Sequence, residues 1–345
     1  VDTQQFEQRK REHLRHALDP EHQALGLAGL ERVRLRHEAV PYFDFEDIRL
    51  DSTCLGRPSR TPFYISGMTA GHADAAELNR LFAVACAARG WAFGVGSQRR
   101  ELDGDAKSQV DDWAKIRESA PNLVLFANIG LTQLAAAPIE KLRALVLSSG
   151  AQALAVHANA LQEALQPEGT PRFRGAIEAL GRVGAELGVP VILKETGCGF
   201  TRSTLERLSR LGLAAVDVSG LGGTHWGRIE GARAGEGMRA DAARTFANWG
   251  EPTVDSLLAA RVTLGPSTEI WASGGIRTGL DAAKCLALGA RQVGFAQPAL
   301  EAALAGEAAL IAWMERQEFE LRVALFCTGS PSPERLREQG AEVSP

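Results

Sequence analysis

Three observations predict an α/β chain folded as a (β/α)8 TIM barrel. The sequence holds eight short apolar segments, amphipathic stretches of helical period lie between most of them, and polar or glycine residues cluster at one end of every apolar segment. Apolar strands without strict alternation suit a parallel sheet whose outer face is covered by helices. A doubly wound sheet has the same local signature, and the count of eight favours the closed barrel. A length of 345 residues accommodates one such barrel with terminal extensions.

In chain order, a polar helix is expected over 3–17, followed by a capping segment through Leu50, so residues 1–60 read as an extension packing on the barrel. The barrel itself spans 61–328, with strands at 62–67, 91–96, 123–128, 151–156, 190–194, 214–219, 269–273 and 292–296. Helical periods occupy 74–89, 139–147, 175–187 and 280–288, and a C-terminal helix completes the unit. The stretch 220–252, rich in glycine up to Gly237, is the one long connection; long loops of this kind serve as active-site lids, and a tolerated insertion is the plain alternative. The tail 329–345, with its Ser-Pro-Ser-Pro run, reads as flexible.

A formal net charge of -4 and a pI near 6.1 provide no global attraction to nucleic acid or to an anionic membrane. The basic run Arg9-Lys10-Arg11 is interleaved with Glu7 and Glu12, which argues against a nucleic-acid patch. Five cysteines are scattered without a CxxC pair, which fits a reducing cytoplasm. No apolar run approaches the ~18 residues of a membrane span.

The chemistry concentrates at the strand ends. After the fourth strand come His157, Asn159, Gln162 and Glu163, closed by Pro167-Glu168-Gly169. His157 alone would more often be a hydrogen-bonded strand-end residue, and Gln162 with Glu163 alone an ordinary helix start; together they point to a substrate and metal site. Gly274 and Gly275 after the seventh strand, with the backbone at Ala296 and Gln297 after the eighth, fall where barrels bind phosphate through N–H groups and a helix N-terminus. Lys194 ends an apolar strand and is costly to bury unpaired, so it pairs with Glu195 or Asp217 or faces an electron-rich ligand. Cys198 has no activating base beside it and reads as inert.

An ordered set of motifs over nearly the whole chain resembles the type 2, FMN-dependent isopentenyl-diphosphate isomerases. It comprises Arg9-Lys10 with Glu12-His13, Met68-Thr69, Gly96-Ser97-Gln98-Arg99, Ala127-Asn128-Ile129-Gly130, His157-x-Asn159-x-x-Gln162-Glu163, Lys194-Glu195, Gly222-Gly223-Thr224 with Glu230, and Ser273-Gly274-Gly275. The resemblance implies interconversion of isopentenyl and dimethylallyl diphosphate by reduced FMN and Mg2+, with NADPH or another reductant, in a cytoplasmic homo-oligomer, a tetramer.

It implies an FMN site of Gly67, Met68, Thr69, Ala70, Ser97, Asn128, Lys194, Ser219, Thr224, Gly274, Gly275, Ile276, Ala296 and Gln297. Substrate contacts fall to Arg9, Lys10, Ser97, Gln98, Arg99, His157, Asn159 and Gln162; catalytic roles to His157, Gln162, Trp226 and Glu230; and Mg2+ to Glu163. The chain departs from the family pattern at Ala70, where glycine is usual, and at His225-Trp226, where Asn-Phe is common. The motif Ser273-Gly-Gly-Ile-Arg-Thr-Gly-Leu-Asp281 also resembles FMN-dependent 2-hydroxy-acid oxidoreductases. Those carry a histidine base after the sixth strand, where this chain has Leu221. A flavin-binding protein without turnover is a third reading.

Overall fold

Eight parallel strands close into a barrel in the computed structural model, which describes residues 3–68, 75–102 and 107–344. They are β1 (Phe63–Ile65), β2 (Ala92–Gly94), β3 (Leu125–Gly130), β4 (Ala153–Ala158), β5 (Val191–Glu195), β6 (Ala215–Asp217), β7 (Glu269–Ala272) and β8 (Gln292–Phe295). Closure comes from β8 pairing with β1, Val293 opposite Phe63 and Phe295 opposite Ile65. Each lies within or close to its expected segment, because a run buried on both faces is mainly apolar, with buried Asn128, Lys194 and Glu195 falling toward the C-terminal strand ends.

The barrel interior is a packed plug. Tyr64, Phe126 and Trp271 meet with ring centroids 5.0 and 5.3 Å apart and are surrounded by Ala92, Ala153, Ala155 and Ala215. Gly294 makes room for this plug, since a Cβ there would lie 2.3 Å from Tyr64 Cζ. Above the aromatic layer the Tyr64 hydroxyl donates to Asp217 at 2.6 Å, and the interior turns polar toward the C-terminal strand ends. The larger core lies between the barrel and its outer helices.

Before the barrel, α1 (Thr3–Leu18) leads into a segment docked on the mouth by backbone bonds: Ala24 N to Gly223 O at 2.8 Å, His225 N to His22 O at 2.9 Å and Val254 N to Ala28 O at 3.0 Å. Directly after β4, α2 (Ala160–Leu165) starts on Asn159, whose side chain accepts from Gln162 N at 2.8 Å, a cap that satisfies one orphan N–H.

Two expectations are corrected. The stretch 220–252 is not an open loop: it folds into α3 (Trp226–Ala234) and α4 (Met238–Thr245), which pack on each other through Gly231 and Ala243. Nor is the tail loose. Ser332 caps a helix at Pro333–Gln339 that buries Leu336, and Glu342–Val343 then pairs antiparallel with Val33–Arg34. Ser followed by Pro is an N-cap and N1 pair, so the run that read as flexible is a helix start.

After β8, α5 (Gln297–Leu304) begins at the mouth, and α6 (Glu307–Cys327) packs along the barrel wall. Among the described residues no helix is long and apolar enough to cross a membrane.

Candidate active site

The C-terminal strand ends surround a deep cavity, roofed on one side by α1 through His13, Leu14 and Ala17 and on another by Trp226 of α3. Residues from all eight strand ends reach its wall. That convergence follows from the barrel: parallel strands bring every βα connection to one face.

One side of the cavity is acidic and amide-rich. Glu230 on α3 is fully buried and accepts from Gln162 Nε2 at 3.2 Å and from Arg233 Nη1 at 2.5 Å; His13 Nε2 lies 2.9 Å from it. Burial would raise its carboxyl, but His13 and Arg233 outweigh burial and hold it below the ordinary carboxylate value. Arg233 also bonds Glu12 at 3.2 Å and Glu168 at 3.1 Å, so one guanidinium joins α1, α3 and the loop after α2. Glu163, which lines the wall as Glu168 does, accepts from Thr170 N at 2.6 Å through Oε2, and among the described residues its Oε1 has no hydrogen-bond partner.

A second chain of contacts runs behind His157. Its Nδ1 is 2.9 Å from Asn128 Oδ1; Asn128 Nδ2 donates to Val95 O at 2.9 Å, and Asn128 N donates to Gln98 Oε1 at 3.0 Å. Gln98 Nε2 in turn donates to Glu101 Oε2 at 2.5 Å. Burial pushes the Glu101 carboxyl up to about 7 against the opposing pull of Gln98 and Trp113.

The other side of the cavity is backbone. Gly274 and Gly275 have φ of +96° and +74°, and a Cβ on Gly274 would lie 2.2 Å from Gly220 O. The first turn of α5 has no side-chain cap, so its N–H groups are an anion's natural partner. Between the two sides stands Lys194, buried, donating to Glu195 O at 3.0 Å and 3.9 Å from Asp217 Oδ2. Asp217 is shared with Tyr64, Ser273 Oγ at 2.8 Å and Ser219 N at 3.2 Å, which leaves the ammonium charge directed at the cavity it lines.

The Glu195 carboxylate does not pair with Lys194. Its Oε2 accepts from the N–H groups of Thr196, Gly197, Cys198 and Gly199, at 2.6, 2.7, 2.5 and 3.1 Å, organising the loop after β5. Burial pushes this carboxyl up to about 7 despite those bonds. Burial also pushes the Cys198 thiol up, so it stays protonated.

Most of the expected site residues meet on this wall: Gly67, Met68, Ser97, Asn128, Lys194, Ser219, Thr224, Gly274, Gly275, Ile276, Ala296 and Gln297, with Arg99, His157, Gln162, Glu163 and Trp226. Three do not. Gln98 is buried behind Asn128, Asn159 is engaged by Gln162 N and by donation to Thr196 Oγ1 at 2.9 Å, and Glu230 lies behind His13 and Gln162. Each of the two amides donates once and accepts once within the protein, which fixes its orientation. Thr69, Ala70 and the side chains of Arg9 and Lys10 lie outside the described residues.

His13, Gln23, Gln133, Glu168 and Arg277 are on the wall without having been assigned roles. Gln23 bridges to Thr224 Oγ1 at 3.1 Å and accepts from Arg277 Nη2 at 3.4 Å. The Glu12-His13, Pro167-Glu168-Gly169 and 273–281 motifs were the available signal for His13, Glu168 and Arg277; Gln23 carried none.

The sequence profile of the FMN-dependent dehydrogenases matches residues 102–342. The chain is 50% identical over 336 residues to an isopentenyl-diphosphate delta-isomerase of Legionella pneumophila (strain Corby), 97% of each chain being covered. To the protein of that name from Bdellovibrio bacteriovorus it is 47% identical over 340 residues, again with 97% of each covered. Among solved structures it resembles a mandelate oxidase carrying a monooxide FMN adduct, with a TM-score of 0.67, 18% identity, and 94% and 93% of the two chains covered. A putative lactate oxidase from Pediococcus acidilactici superposes with a TM-score of 0.70 at 16% identity, covering 99% and 94%. These oxidases share the barrel.

Proposed function

Because the chain belongs to the isopentenyl-diphosphate delta-isomerases, within the FMN-dependent dehydrogenase family, we propose that its barrel mouth brings reduced FMN, Mg2+ and an isoprenoid diphosphate together. The enzyme interconverts isopentenyl diphosphate and dimethylallyl diphosphate, a redox-neutral shift of a double bond that adds one proton and removes another. FMN is the cofactor. The glycine cradle and uncapped α5 start fit its phosphate, with Gly274, Gly275, Ile276, Ala296 and Gln297 contributing backbone. Gly67, Met68, Ser97, Asn128, Lys194, Ser219 and Thr224 hold the rest, joined by Thr69 and Ala70 from the resemblance.

When bound and reduced, FMN would supply an electron-rich ring and a nitrogen able to carry a proton. Lys194, the buried cation on the wall, favours the anionic form of such a ring. Gln162 orients the alkene end, its amide fixed by donation to Glu230. Trp226 and His13, edge to face with ring centroids 5.1 Å apart, wall off that end from water. Glu230 acts through His13 and Gln162, fixing both while remaining off the cavity wall.

The diphosphate is held at the opposite end by His157, Ser97 and Arg99, with Arg9 and Lys10 from α1, in this or a neighbouring subunit. Glu163 would hold Mg2+, and Glu168 lines the same wall; carboxylates of this kind would supply the oxygen ligands that a hard cation takes together with phosphate oxygens. NADPH or another reductant keeps the flavin reduced, and the working form is a cytoplasmic homo-oligomer, a tetramer.

The observation that carries this reading against an oxidase is Leu221. It is buried after β6, with its N–H donating to Glu251 O at 2.8 Å and its carbonyl accepting from Thr253. No base stands there to take a proton from a 2-hydroxy acid. The test is an anaerobic assay with isopentenyl diphosphate, FMN, Mg2+ and dithionite. Dimethylallyl diphosphate should form without net flavin oxidation, and 2-hydroxy acids should leave oxidised flavin unbleached. Bleaching by a 2-hydroxy acid with no isomerisation would overturn the reading.

A further inference from the structure

We propose that the floor of the barrel carries a second anion site, remote from the mouth, for a small molecule bearing a phosphate or diphosphate group. The floor holds a concave cavity of about 300 Å3, within the range of small-molecule clefts. It is lined by Arg49, Arg60, Arg89 and Arg322 against only two acids, Asp51 and Glu318. Residues 49–51 and 60 precede β1 and Arg89 precedes β2, so the site lies at the N-terminal strand ends, opposite the cavity already described.

The charges do not cancel internally. Glu318 is committed to Arg89 Nε at 3.2 Å and to Trp91 Nε1 at 2.8 Å, and Arg89 also takes Glu315 at 3.0 Å. No ion pair joins Arg49, Arg60 or Arg322 to a carboxylate among the described residues. Three guanidiniums therefore face one cavity with Asp51 as the single acid not already paired, in a chain whose net charge is negative.

Arg322 is the most confined of them. Half-buried, it donates from Nη2 to Phe45 O at 3.0 Å, lies 5.0 Å from the centre of the Phe45 ring, and has a covered Nε without a hydrogen-bond partner. A cation taken partly out of water without a counter-charge is costly, and a bound anion removes that cost. Arg60 is steered to the same place: its stem lies over Gly90, where a Cβ would come within 2.7 Å of Arg60 Cβ. Forked guanidinium donors converging from separate elements match the tetrahedral oxygens of phosphate. Even with Glu315 counted, four guanidiniums stand against three carboxylates, a net positive charge that suits an anion.

The test is calorimetric titration of the flavin-loaded enzyme with inorganic diphosphate, comparing wild type with the Arg49→Ser/Arg60→Ser double variant. Both side chains are exposed, so the variant keeps its core. Wild type should bind two equivalents per chain, one at the mouth and one at the floor. The double variant should lose one of them, or bind it at least tenfold more weakly, with kcat and KM for isopentenyl diphosphate unchanged.

Repeating the titration with isopentenyl diphosphate saturating identifies the source of the anion. A floor event that persists marks a site for free diphosphate, and one that disappears while still requiring Arg49 and Arg60 marks a site for esterified diphosphates. An isotherm identical in wild type and double variant overturns the proposal. So does an unchanged isotherm accompanied by a smaller assembly in sedimentation, which would assign these arginines to an interface between copies.

Discussion

His157 Nδ1 faces Asn128 Oδ1 at 2.9 Å, and the orientation of that amide is fixed because Asn128 Nδ2 donates to the Val95 carbonyl. A carbonyl only accepts, so the Asn128 oxygen is the atom turned to the imidazole, and His157 must carry its proton on Nδ1. The proton on the inner ring nitrogen is thus fixed by a residue on the neighbouring strand, and donation from Nε2 into the cavity then requires the doubly protonated ring.

Replacing Asn128 with leucine frees the ring to rotate and to change tautomer. The expected outcome is a rise in KM for isopentenyl diphosphate of about tenfold, equivalent to about 1.4 kcal/mol for a lost charge-assisted contact. Steady-state kinetics measure it, with flavin content determined in parallel because Asn128 also lines the FMN side. An unchanged KM would remove His157 from the diphosphate.

Glu163→Gln keeps the shape of the side chain and its bond from Thr170 but removes the charge a hard cation needs. The Mg2+ concentration for half-maximal activity should rise at least tenfold while the FMN dissociation constant stays within twofold. A Mg2+ response identical to wild type would count against Glu163 as the ligand.

Glu230 is depressed below the ordinary carboxylate value of 4.5 in the folded protein. Its contribution to stability is therefore complete above that value and fades as pH falls through the lower folded value. Between pH 5 and 3 the wild-type melting temperature should fall more steeply than that of Glu230→Gln. At pH 7 the variant should be the less stable, because Arg233 loses one of its three carboxylates. Parallel slopes would show that the carboxyl is not coupled to His13 and Arg233.

Glu101 has the opposite sign. Burial raises it to about 7, so the folded state holds its proton more tightly than the unfolded chain and loses stability as pH rises from about 4.5 to 7. Glu101→Gln accepts from Gln98 through its amide oxygen without that penalty, and its stability relative to wild type should grow from pH 5 to pH 8. Differential scanning calorimetry at the two pH values decides it.

Gly274→Ala introduces a Cβ 2.2 Å from Gly220 O at a φ of +96°. Both the contact and the backbone conformation oppose it, so the cradle must open. FMN affinity should fall by two orders of magnitude or more, read from flavin fluorescence on dialysis, with far-ultraviolet circular dichroism retained. Retention of wild-type FMN affinity would remove this loop from the phosphate site.

The barrel was legible because burial on both faces of a strand forces an uninterrupted apolar run, and the segments at 62–67 and 292–296 announce themselves that way. The insertion was not, because apart from Ile229 the groups that α3 and α4 bury are small or charged, Gly227, Glu230, Ala240 and Ala243, too few large apolar side chains to mark a stripe. Residue types at the site were visible through their motifs. Which way an amide points was not: Gln98 and Asn159 look like ligands in sequence, and the bonds to Glu101 and Thr196 appear only in the fold. The four N–H bonds to Glu195 Oε2 left no pattern either, since they depend on the turn of the loop rather than on side-chain identity.

Val33–Arg34 pairs with Glu342–Val343, and Ser344 N donates to Arg32 O at 3.0 Å. Arg32 belongs to the same docked segment that holds Gln23 on the cavity wall and joins it to α1. The roof of the mouth is thus anchored by a contact between parts of the chain synthesised far apart in time, a pairing of very high contact order. A ribosome-bound chain with all eight strands already formed would still lack this clasp. Catalytic competence should therefore lag behind barrel formation during translation until residues 342–344 have emerged and paired.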